Sequence, residues 1–316
     1  MTLSIGALCW NQYTGWPALL EAGQRADGLG YESLWTWDHL YPIVGDSNGP
    51  ILEGWMTLAA WAQATARVRI GLMVSANTFR EPALTAKMAT TLDHISGGRA
   101  ILGIGAAWFE EEHVAYGFPF GSGAPERLRW LAEALPVMRG MLRGEPPTSA
   151  GGRYHVKAVR NLPAPLQSRL PLLIGGGGEK VTLKLVARYA DACNIGGGVD
   201  AVRRKEAILQ EHCRAVGRDH REIERTTIVG AVVIRDSRAE AQRVFEALFE
   251  SNGRAHPWAN QPVGTPDEVA AAIRPYLEIG PGYRHLLAGF PAPYDEESMT
   301  RLATEVRPRL EHSLRR

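Results

Sequence analysis

The chain has 316 residues, and its 35 lysines and arginines nearly balance its 34 aspartates and glutamates, which leaves a net charge of +1. This balance gives no electrostatic reason to expect DNA, RNA or an acidic membrane surface as a partner. The longest apolar runs have the length of strands and fall short of the roughly 18 residues that a membrane-spanning helix needs. We therefore expect a soluble globular protein that acts on a small molecule.

The N-terminal stretch MTLSIGALCW lacks the basic segment, apolar core and cleavage site of a secretory signal. The three cysteines, Cys9, Cys193 and Cys213, form neither a CxxC pair nor the spacing of a disulfide framework. These features predict a protein of the reducing cytoplasm.

Strand-like apolar runs alternate with segments of helical periodicity along the whole chain. The predicted strands are, in order, SIGALCW, SLWTWDH, VRIGLMVSAN, RAILGIGAAW, PLLIGGGG, ADACNIGGG, TTIVGAVVI and YRHLLAGF. Such alternation is typical of parallel βα units, and eight units in about 300 residues favour a (β/α)8 TIM barrel over an open doubly wound sheet. We predict an α/β protein with one barrel domain over residues 1–316.

Two longer segments interrupt this alternation. Residues 109–126 follow the fourth predicted strand, and residues 144–170, rich in proline and glycine, precede the fifth. Loops longer than roughly a dozen residues are uncommon unless they act as lids or binding segments. We therefore expect both insertions to border a ligand site.

The second predicted strand ends in Trp37, Asp38 and His39. Imidazole titrates near neutrality, so His39 can exchange a proton while Asp38 holds its ring in place. We name His39 and Asp38 as candidate catalytic residues, and a purely structural hydrogen-bonded pair is the alternative. The other histidines show no HxH or HExxH spacing, so we expect no metal site.

Small polar residues end the third predicted strand. Ser75 and Asn77 stand where a planar ligand could approach the strand closely, although a simple turn explains them equally well. Asn194 lies within the sixth predicted strand. We include these three residues among the candidate ligand contacts.

The fourth predicted strand leads through Trp108 into the acidic run EEEH. We interpret the glutamates as a solvated first helical turn, where the helix dipole favours negative charge. His113 and Tyr116 are three residues apart, a spacing that allows them to share one face of that helix.

Four consecutive glycines, Gly175 to Gly178, separate the fifth predicted strand from a helical segment. Free N–H groups and the positive end of the helix dipole would face out of this turn, an arrangement suited to a phosphate. Glu179 and Lys180 do not fit a P-loop, and Lys180 stands where a dinucleotide fingerprint needs glycine. A flexible turn is the alternative interpretation.

The chain resembles the luciferase-like flavin and deazaflavin oxidoreductases, and most of all their coenzyme F420-dependent branch. The resemblance covers about residues 4 to 290 and depends on five stretches in the family's order: WDHLYP, GPILEGWMTLAAWAQAT, GLMVSANTFREPALTAKMATTLDHISGGR, LGIGAAWFEEEHVAYGFPF and IGGGGEKVTLKLVARYADACN. It implies a TIM barrel that transfers a hydride between coenzyme F420 and a small organic substrate. FMN is the alternative cofactor, and an FMN-dependent monooxygenase is the alternative activity.

The resemblance also implies roles for particular residues. The glycine turn would hold the cofactor phosphate, a non-proline cis peptide at Met73 and Val74 would lie behind the ring, and Asp38 and His39 would contact the ring or the substrate. Gly105 and Ala106 would lie over the ring edge. The full expected cofactor-binding set is Asp38, Met73, Val74, Ser75, Asn77, Gly105, Ala106, Trp108, His113, Tyr116, Gly175, Gly176, Gly177, Gly178 and Asn194.

These sequence patterns say less about the substrate than about the cofactor. Sugar-phosphate dehydrogenases of the family carry a catalytic glutamate where this chain has Ala106, so we do not expect a glucose phosphate. Trp10, Trp37, Tyr41 and Trp108, each near a strand end, could wall a hydrophobic substrate pocket or act as loop anchors. The resemblance further implies a homodimer. A non-catalytic flavin-binding protein and a sugar-phosphate-binding barrel without flavin stay open as alternatives.

Overall fold

A computed structural model describes residues 3–254, 261–280 and 282–314. The strands are β1 (Ser4–Cys9), β2 (Ser33–Thr36), β3 (Arg69–Leu72), β4 (Ser75–Ala76), β5 (Ala100–Gly105), β6 (Leu172–Gly175), β7 (Ala192–Asn194), β8 (Glu224–Ala231), β9 (Val233–Ile234), β10 (Val263–Gly264) and β11 (Tyr283–Phe290). The helices are α1 (Trp16–Gly28), α2 (Gly54–Ala64), α3 (Pro82–Ser96), α4 (Glu110–Tyr116), α5 (Ala124–Leu142), α6 (Thr182–Tyr189), α7 (Val199–Ala215), α8 (Arg238–Ser251), α9 (Pro266–Leu277), α10 (Glu296–Arg301) and α11 (Arg307–Leu314).

Eight parallel strands close into a barrel in the order β3, β2, β1, β11, β8, β7, β6 and β5, and β3 pairs with β5 to complete the ring. The strand β4 resumes the third strand after a short break and also pairs with β5. The predicted TIM barrel is confirmed. The insertion after the fourth barrel strand contains α4, and the one before the fifth carries a bridge between Ser149 and Val156.

The run TTIVGAVVI, predicted as one strand, is divided in two. Its first part belongs to β8, whereas Val233 and Ile234 form β9 and pair with β10 in a separate two-stranded sheet. Gly230 has a φ of +113°, which side chains other than glycine rarely adopt. The register of β8 against β11 shifts just before this residue, and Gly230 and Ala231 still pair with β11 before the chain leaves the barrel for β9.

The strands are apolar on both sides because both faces are covered. Leu34 packs between the barrel and the helices, and its neighbour Trp35 packs inside the barrel with Leu8 and Leu287. Successive side chains of a strand point to opposite faces, so this alternation follows directly from strand geometry. Burying each such side chain stabilises the fold by about 1.5–3 kcal/mol.

A polar network fills the N-terminal end of the barrel. The guanidinium of Arg69 donates to both carboxylate oxygens of Glu224, at 2.7 and 3.1 Å, and His285 Nδ1 lies 2.6 Å from Glu224 Oε1. His285 Nε2 lies 2.7 Å from Ser33 Oγ, which also accepts a bond from Trp35 Nε1. Both ring nitrogens of His285 are thus engaged, as expected for a structural network.

Within the described residues, no helix is long and apolar enough to cross a membrane. The same part of the chain contains no cluster of three or more histidine, cysteine, aspartate or glutamate side chains arranged to hold a metal ion.

Candidate active site

A cavity of about 320 Å³ opens at the C-terminal side of the barrel, and residues at or near β2 to β8 line it. In a TIM barrel this end of the strands carries the ligand-binding loops. The sequence-predicted residues that line the cavity are Asp38, His39, Met73, Val74, Ser75, Gly105, Ala106, Trp108, Gly175, Gly176 and Asn194.

His39 projects into this cavity from the end of β2. Its Nδ1 lies 2.8 Å from Glu112 Oε1, and its ring packs edge-on against Trp108 at 5.5 Å between centroids. No group in the described ranges forms a hydrogen bond with Nε2 of His39. One ring nitrogen is therefore held by a carboxylate while the other is available to a ligand, an arrangement suited to proton exchange.

Glu112 is the residue that the sequence interpretation misplaced. The acidic run was expected to be solvated, and Glu110 and Glu111 are exposed, but the Glu112 side chain is only 1% exposed. Its Oε2 accepts a bond from the Leu40 N–H at 2.8 Å while Oε1 faces His39. The α4 helix thus carries Glu112 into the barrel mouth, where it fixes both the ring and the backbone after β2.

Asp38 was expected to hold the ring of His39, and this expectation is wrong. The buried Asp38 carboxylate accepts two bonds from the Arg80 guanidinium, at 2.7 and 3.1 Å, and one from the Ala76 N–H at 2.9 Å. Burial raises the pKa of the Asp38 carboxyl, and the Arg80 charge opposes that rise. Asp38 therefore anchors β4 to the end of β2 at the cavity wall.

The break between β3 and β4 forms one wall of the cavity. The Met73–Val74 peptide bond is cis, at the position that the resemblance implied. Val74 packs closely on two facing strands: a Cβ at Gly105 would lie 2.8 Å from its Cγ2, and one at Gly175 would lie 2.9 Å from its Cγ1. These positions therefore need glycine, since a larger residue would displace Val74.

One buried polar atom on this wall has no partner. Ser75 is 1% exposed and lines the cavity, and its Oγ makes no hydrogen bond with any described residue. Buried polar atoms nearly always have a partner, so an orphaned hydroxyl beside a cavity indicates a polar ligand group. Asn194, on the opposite side, uses its Nδ2 to hold Thr226 Oγ1 at 2.9 Å.

The glycine turn connects β6 to α6. Gly176 has a φ of +117°, and its N–H donates to the Asn194 carbonyl at 3.0 Å, so that N–H is not available to a phosphate. The N–H groups of Gly177 and Gly178 make no such bond within the described part of the chain. They lie just ahead of Thr182, where α6 begins without a side-chain cap.

Lys205 also lies at this turn, and sequence reasoning missed it. Its Nζ is 2.5 Å from the position that a Cβ on Gly177 would occupy, and it bonds to the Gly196 carbonyl at 3.2 Å. Lys205 belongs to α7, and no local motif connects it with the glycines. The turn therefore combines free N–H groups, a helix N-terminus and an ammonium group, which together suit a phosphate.

The remaining predicted contacts do not line the cavity. Gly177 and Gly178 lie in the turn beside it, and Asn77 donates to the hydroxyl of Tyr154 at 3.0 Å. His113 is buried, with Nε2 2.6 Å from Thr78 Oγ1 and Nδ1 2.6 Å from the Phe109 carbonyl, and burial lowers its pKa. Tyr116 is exposed and does not share the buried face of His113.

A second cavity of about 890 Å³ adjoins the first one. Ile228 lines both cavities, which places them side by side at the barrel mouth. Trp10 and Trp37, two of the four predicted pocket aromatics, line the second cavity and pack together at 5.0 Å between ring centroids. Trp108 lines the first cavity instead, and Tyr41 packs against Tyr116.

Comparison with known proteins agrees with the family resemblance seen in the sequence. The family model described as luciferase-like monooxygenase matches residues 2–282. The F420-dependent glucose-6-phosphate dehydrogenase of Amycolatopsis mediterranei is 27% identical over 335 aligned positions, which cover 98% of each chain.

Solved structures show the shared fold. The coenzyme F420-dependent tetrahydromethanopterin reductase from Methanopyrus kandleri superimposes with a TM-score of 0.80 at 19% identity, over 98% of this chain and 100% of that one. The oxygenating constituent of 3,6-diketocamphane monooxygenase from Pseudomonas putida, in complex with FMN, gives a TM-score of 0.75 at 19% identity, over 98% and 99%. The same fold thus occurs with either cofactor.

Proposed function

This chain belongs to the luciferase-like monooxygenase family, and we propose that it is a coenzyme F420-dependent oxidoreductase that exchanges a hydride with a small organic substrate. The family and its F420-dependent relatives make the chain an enzyme and an oxidoreductase. The identity of the cofactor and the class of the substrate are what we propose. The homodimer, the cytoplasmic location and the single domain over residues 1–316 stay predictions.

The observation that carries the proposal is the His39–Glu112 pair at the cavity. A bound deazaflavin supplies hydride transfer to or from a substrate carbon. Every such transfer from an alcohol or to a carbonyl also needs a proton acceptor or donor. His39 lines the cavity and its Nε2 has no partner in the described residues, so we assign this role to His39, while Glu112 keeps Nδ1 in place.

The cavity has the features that a ring and a phosphate need. Val74, packed on Gly105 and Gly175, gives a rigid apolar wall for a planar ring. The orphaned Ser75 Oγ offers a hydrogen bond to a polar edge of that ring. The N–H groups of Gly177 and Gly178 would hold the phosphate with Lys205.

The choice of F420 over FMN is supported by relatedness, since both cofactors present a ring and a phosphate. A relative named as F420-dependent aligns with almost the whole chain. Structures of similar fold include an FMN complex, so the FMN-dependent monooxygenase is the outcome against which the proposal is tested.

The test is a titration of the purified protein with F420 and, separately, with FMN. We expect micromolar or tighter binding of F420 and at least about tenfold weaker binding of FMN, a difference of about 1.4 kcal/mol. The reduced cofactor should not be oxidised when oxygen alone is added. Tight FMN binding with oxygen-dependent hydroxylation of a substrate would establish the monooxygenase instead.

A pair of variants on α7 tests the phosphate site. Lys205→Ala should weaken F420 binding about tenfold, because an ammonium beside an anion is lost. Arg203→Ala is the matched control, since Arg203 is exposed on the same helix and pairs with Asp200 at 2.8 Å. F420 binding by Lys205→Ala as tight as that by Arg203→Ala would show that Lys205 does not contact the phosphate.

A further inference from the structure

The second cavity has a mostly apolar lining. Leucine, isoleucine, valine, alanine and tryptophan side chains form most of its wall, and its volume of about 890 Å³ is within the usual range for small-molecule sites. The apolar side chains on it are Leu8, Trp10, Trp37, Ile43, Val199, Ile228, Val229, Ala231, Val263 and Ala272.

The few polar side chains on this wall are engaged with the protein. Arg238 and Glu268 pair with each other at 3.4 Å, and Glu268 also caps α9 through Thr265. Tyr276 donates its hydroxyl to the Gly197 carbonyl, and Gln261 accepts a bond from the Ala231 N–H. Among the described residues, no unpaired cation therefore lines the cavity.

The position of the cavity connects it to the candidate chemistry. Ile228 borders both cavities, and Trp37 of the second cavity directly precedes Asp38 and His39 of the first. The second cavity therefore lies next to the one that His39 lines, with Ile228 as their common border.

We propose that this cavity binds the body of the substrate, and that the substrate is an uncharged, largely apolar molecule about the size of two or three fused rings. The inference rests on the proposed function, because hydride exchange beside His39 is what makes the bound molecule a substrate. A phosphate or carboxylate would lose its hydration here and would meet, among the described residues, only the Arg238 guanidinium, which Glu268 already faces at 3.4 Å. We therefore expect sugar phosphates to bind weakly in this cavity.

The binding test uses the full chain without cofactor and 2-acetylnaphthalene as an uncharged two-ring probe, measured by equilibrium dialysis. Ala272→Phe adds a large side chain at a cavity-lining position on α9. Ala271→Phe is the matched control, because Ala271 is the neighbouring exposed residue and does not line the cavity. We expect Ala272→Phe to bind the probe at least about tenfold more weakly and Ala271→Phe to bind within about twofold of the wild type.

Glucose 6-phosphate is dialysed in parallel, and we expect its binding to be at least about tenfold weaker than that of the probe. A series of 2-alkanones gives a measurement that needs no variant. Affinity should rise about threefold to fourfold with each added methylene until the cavity is full, as the transfer of a methylene out of water predicts.

Three results would overturn the proposal: equal probe binding by Ala272→Phe and the wild type, glucose 6-phosphate binding as tight as the probe, or an alkanone series without a slope. F420 titration of the same proteins separates this inference from the proposed function. F420 bound equally by Ala272→Phe and the wild type shows that the variant is folded. If the wild type binds the probe as expected but binds no F420, the apolar site is supported and the proposed cofactor is wrong.

Discussion

His39 and His285 each place Nδ1 against a glutamate, at 2.8 and 2.6 Å, at opposite ends of the same barrel. The second nitrogen of His285 is held by Ser33, and that side chain is 3% exposed. The second nitrogen of His39 has no partner in the described residues, and that side chain is 15% exposed and lines a cavity. A histidine–carboxylate pair is therefore no sign of chemistry by itself, and the availability of the other ring nitrogen is what distinguishes the two.

The two pairs differ because one end of a TIM barrel is packed for stability and the other end carries the ligand-binding loops. The N-terminal ends of the strands are packed together, so polar groups there must satisfy one another. The C-terminal ends carry long loops, and here α4 in one of them brings Glu112 to His39 without closing the cavity. Substitutions at His39, Glu112 and Glu224 test this difference between the two pairs.

Replacing His39 should have the largest effect on turnover. General acid–base groups contribute about 100- to 10,000-fold, so His39→Ala should lower kcat by that order on any substrate that the wild type converts. F420 affinity should change little, because other residues supply most of the contacts proposed for the deazaflavin ring. Tm is measured alongside, since buried Glu112 loses its partner in this variant. His285→Gln is the counterpart, and it should lower Tm while leaving kcat of the folded protein unchanged. A loss of less than threefold for His39→Ala would make His39 a structural residue like His285.

Replacing Glu112 tests whether the carboxylate positions the ring. Glu112→Gln keeps the size of the side chain but loses the charge that faces Nδ1, so kcat should fall about 10- to 100-fold with KM nearly unchanged. Glu111→Gln is the control, because Glu111 is the exposed neighbour and bonds only to Ser47 among the described contacts. Equal kcat values for the two variants would contradict a positioning role.

Glu224 should affect stability and its pH dependence. Burial raises the pKa of its carboxyl, but the hydrogen bonds from His285 and Arg69 outweigh burial and hold the pKa well below its ordinary value of 4.5. A depressed folded-state pKa means that the stabilisation is fully present above that ordinary value and is lost as the pH falls below it. Glu224→Gln should therefore lower the free energy of unfolding at pH 7 by about 1–2 kcal/mol, less than for a fully buried pair because Glu224 and Arg69 are each about one third exposed.

The measurement for Glu224 is denaturant unfolding of both proteins between pH 7 and pH 3. The difference in unfolding free energy between wild type and Glu224→Gln should shrink below pH 4.5. A constant difference across this range would show that the pair contributes through packing and not through its charge.

The barrel and much of the cavity lining were predictable from the chain alone. Apolar runs alternating with helical segments specify βα units, and such units bring the strand ends together, so His39, Ser75 and Gly175 were expected near one another. The cis peptide at Met73 and Val74 was predictable only by family resemblance, since nothing in its local composition indicates it.

The partners of these residues were not predictable. The sequence places Asp38 next to His39, yet Arg80 holds Asp38 and Glu112 holds His39. Helical spacing placed His113 and Tyr116 on one helix, but packing buried the first and exposed the second.

The sequence by itself determined the order of strands and helices, the glycine turn and the strand-end positions that surround the cavity, because these depend on local periodicity and on backbone freedom at glycine. Only the tertiary structure decided that Lys205 lies over that turn and that the Gly176 N–H donates to the Asn194 carbonyl. It also decided that an apolar cavity adjoins the first one at Ile228. These features join residues from separate βα units. Their contacts depend on how helices and loops pack on the closed barrel, and no local pattern in the chain encodes that packing.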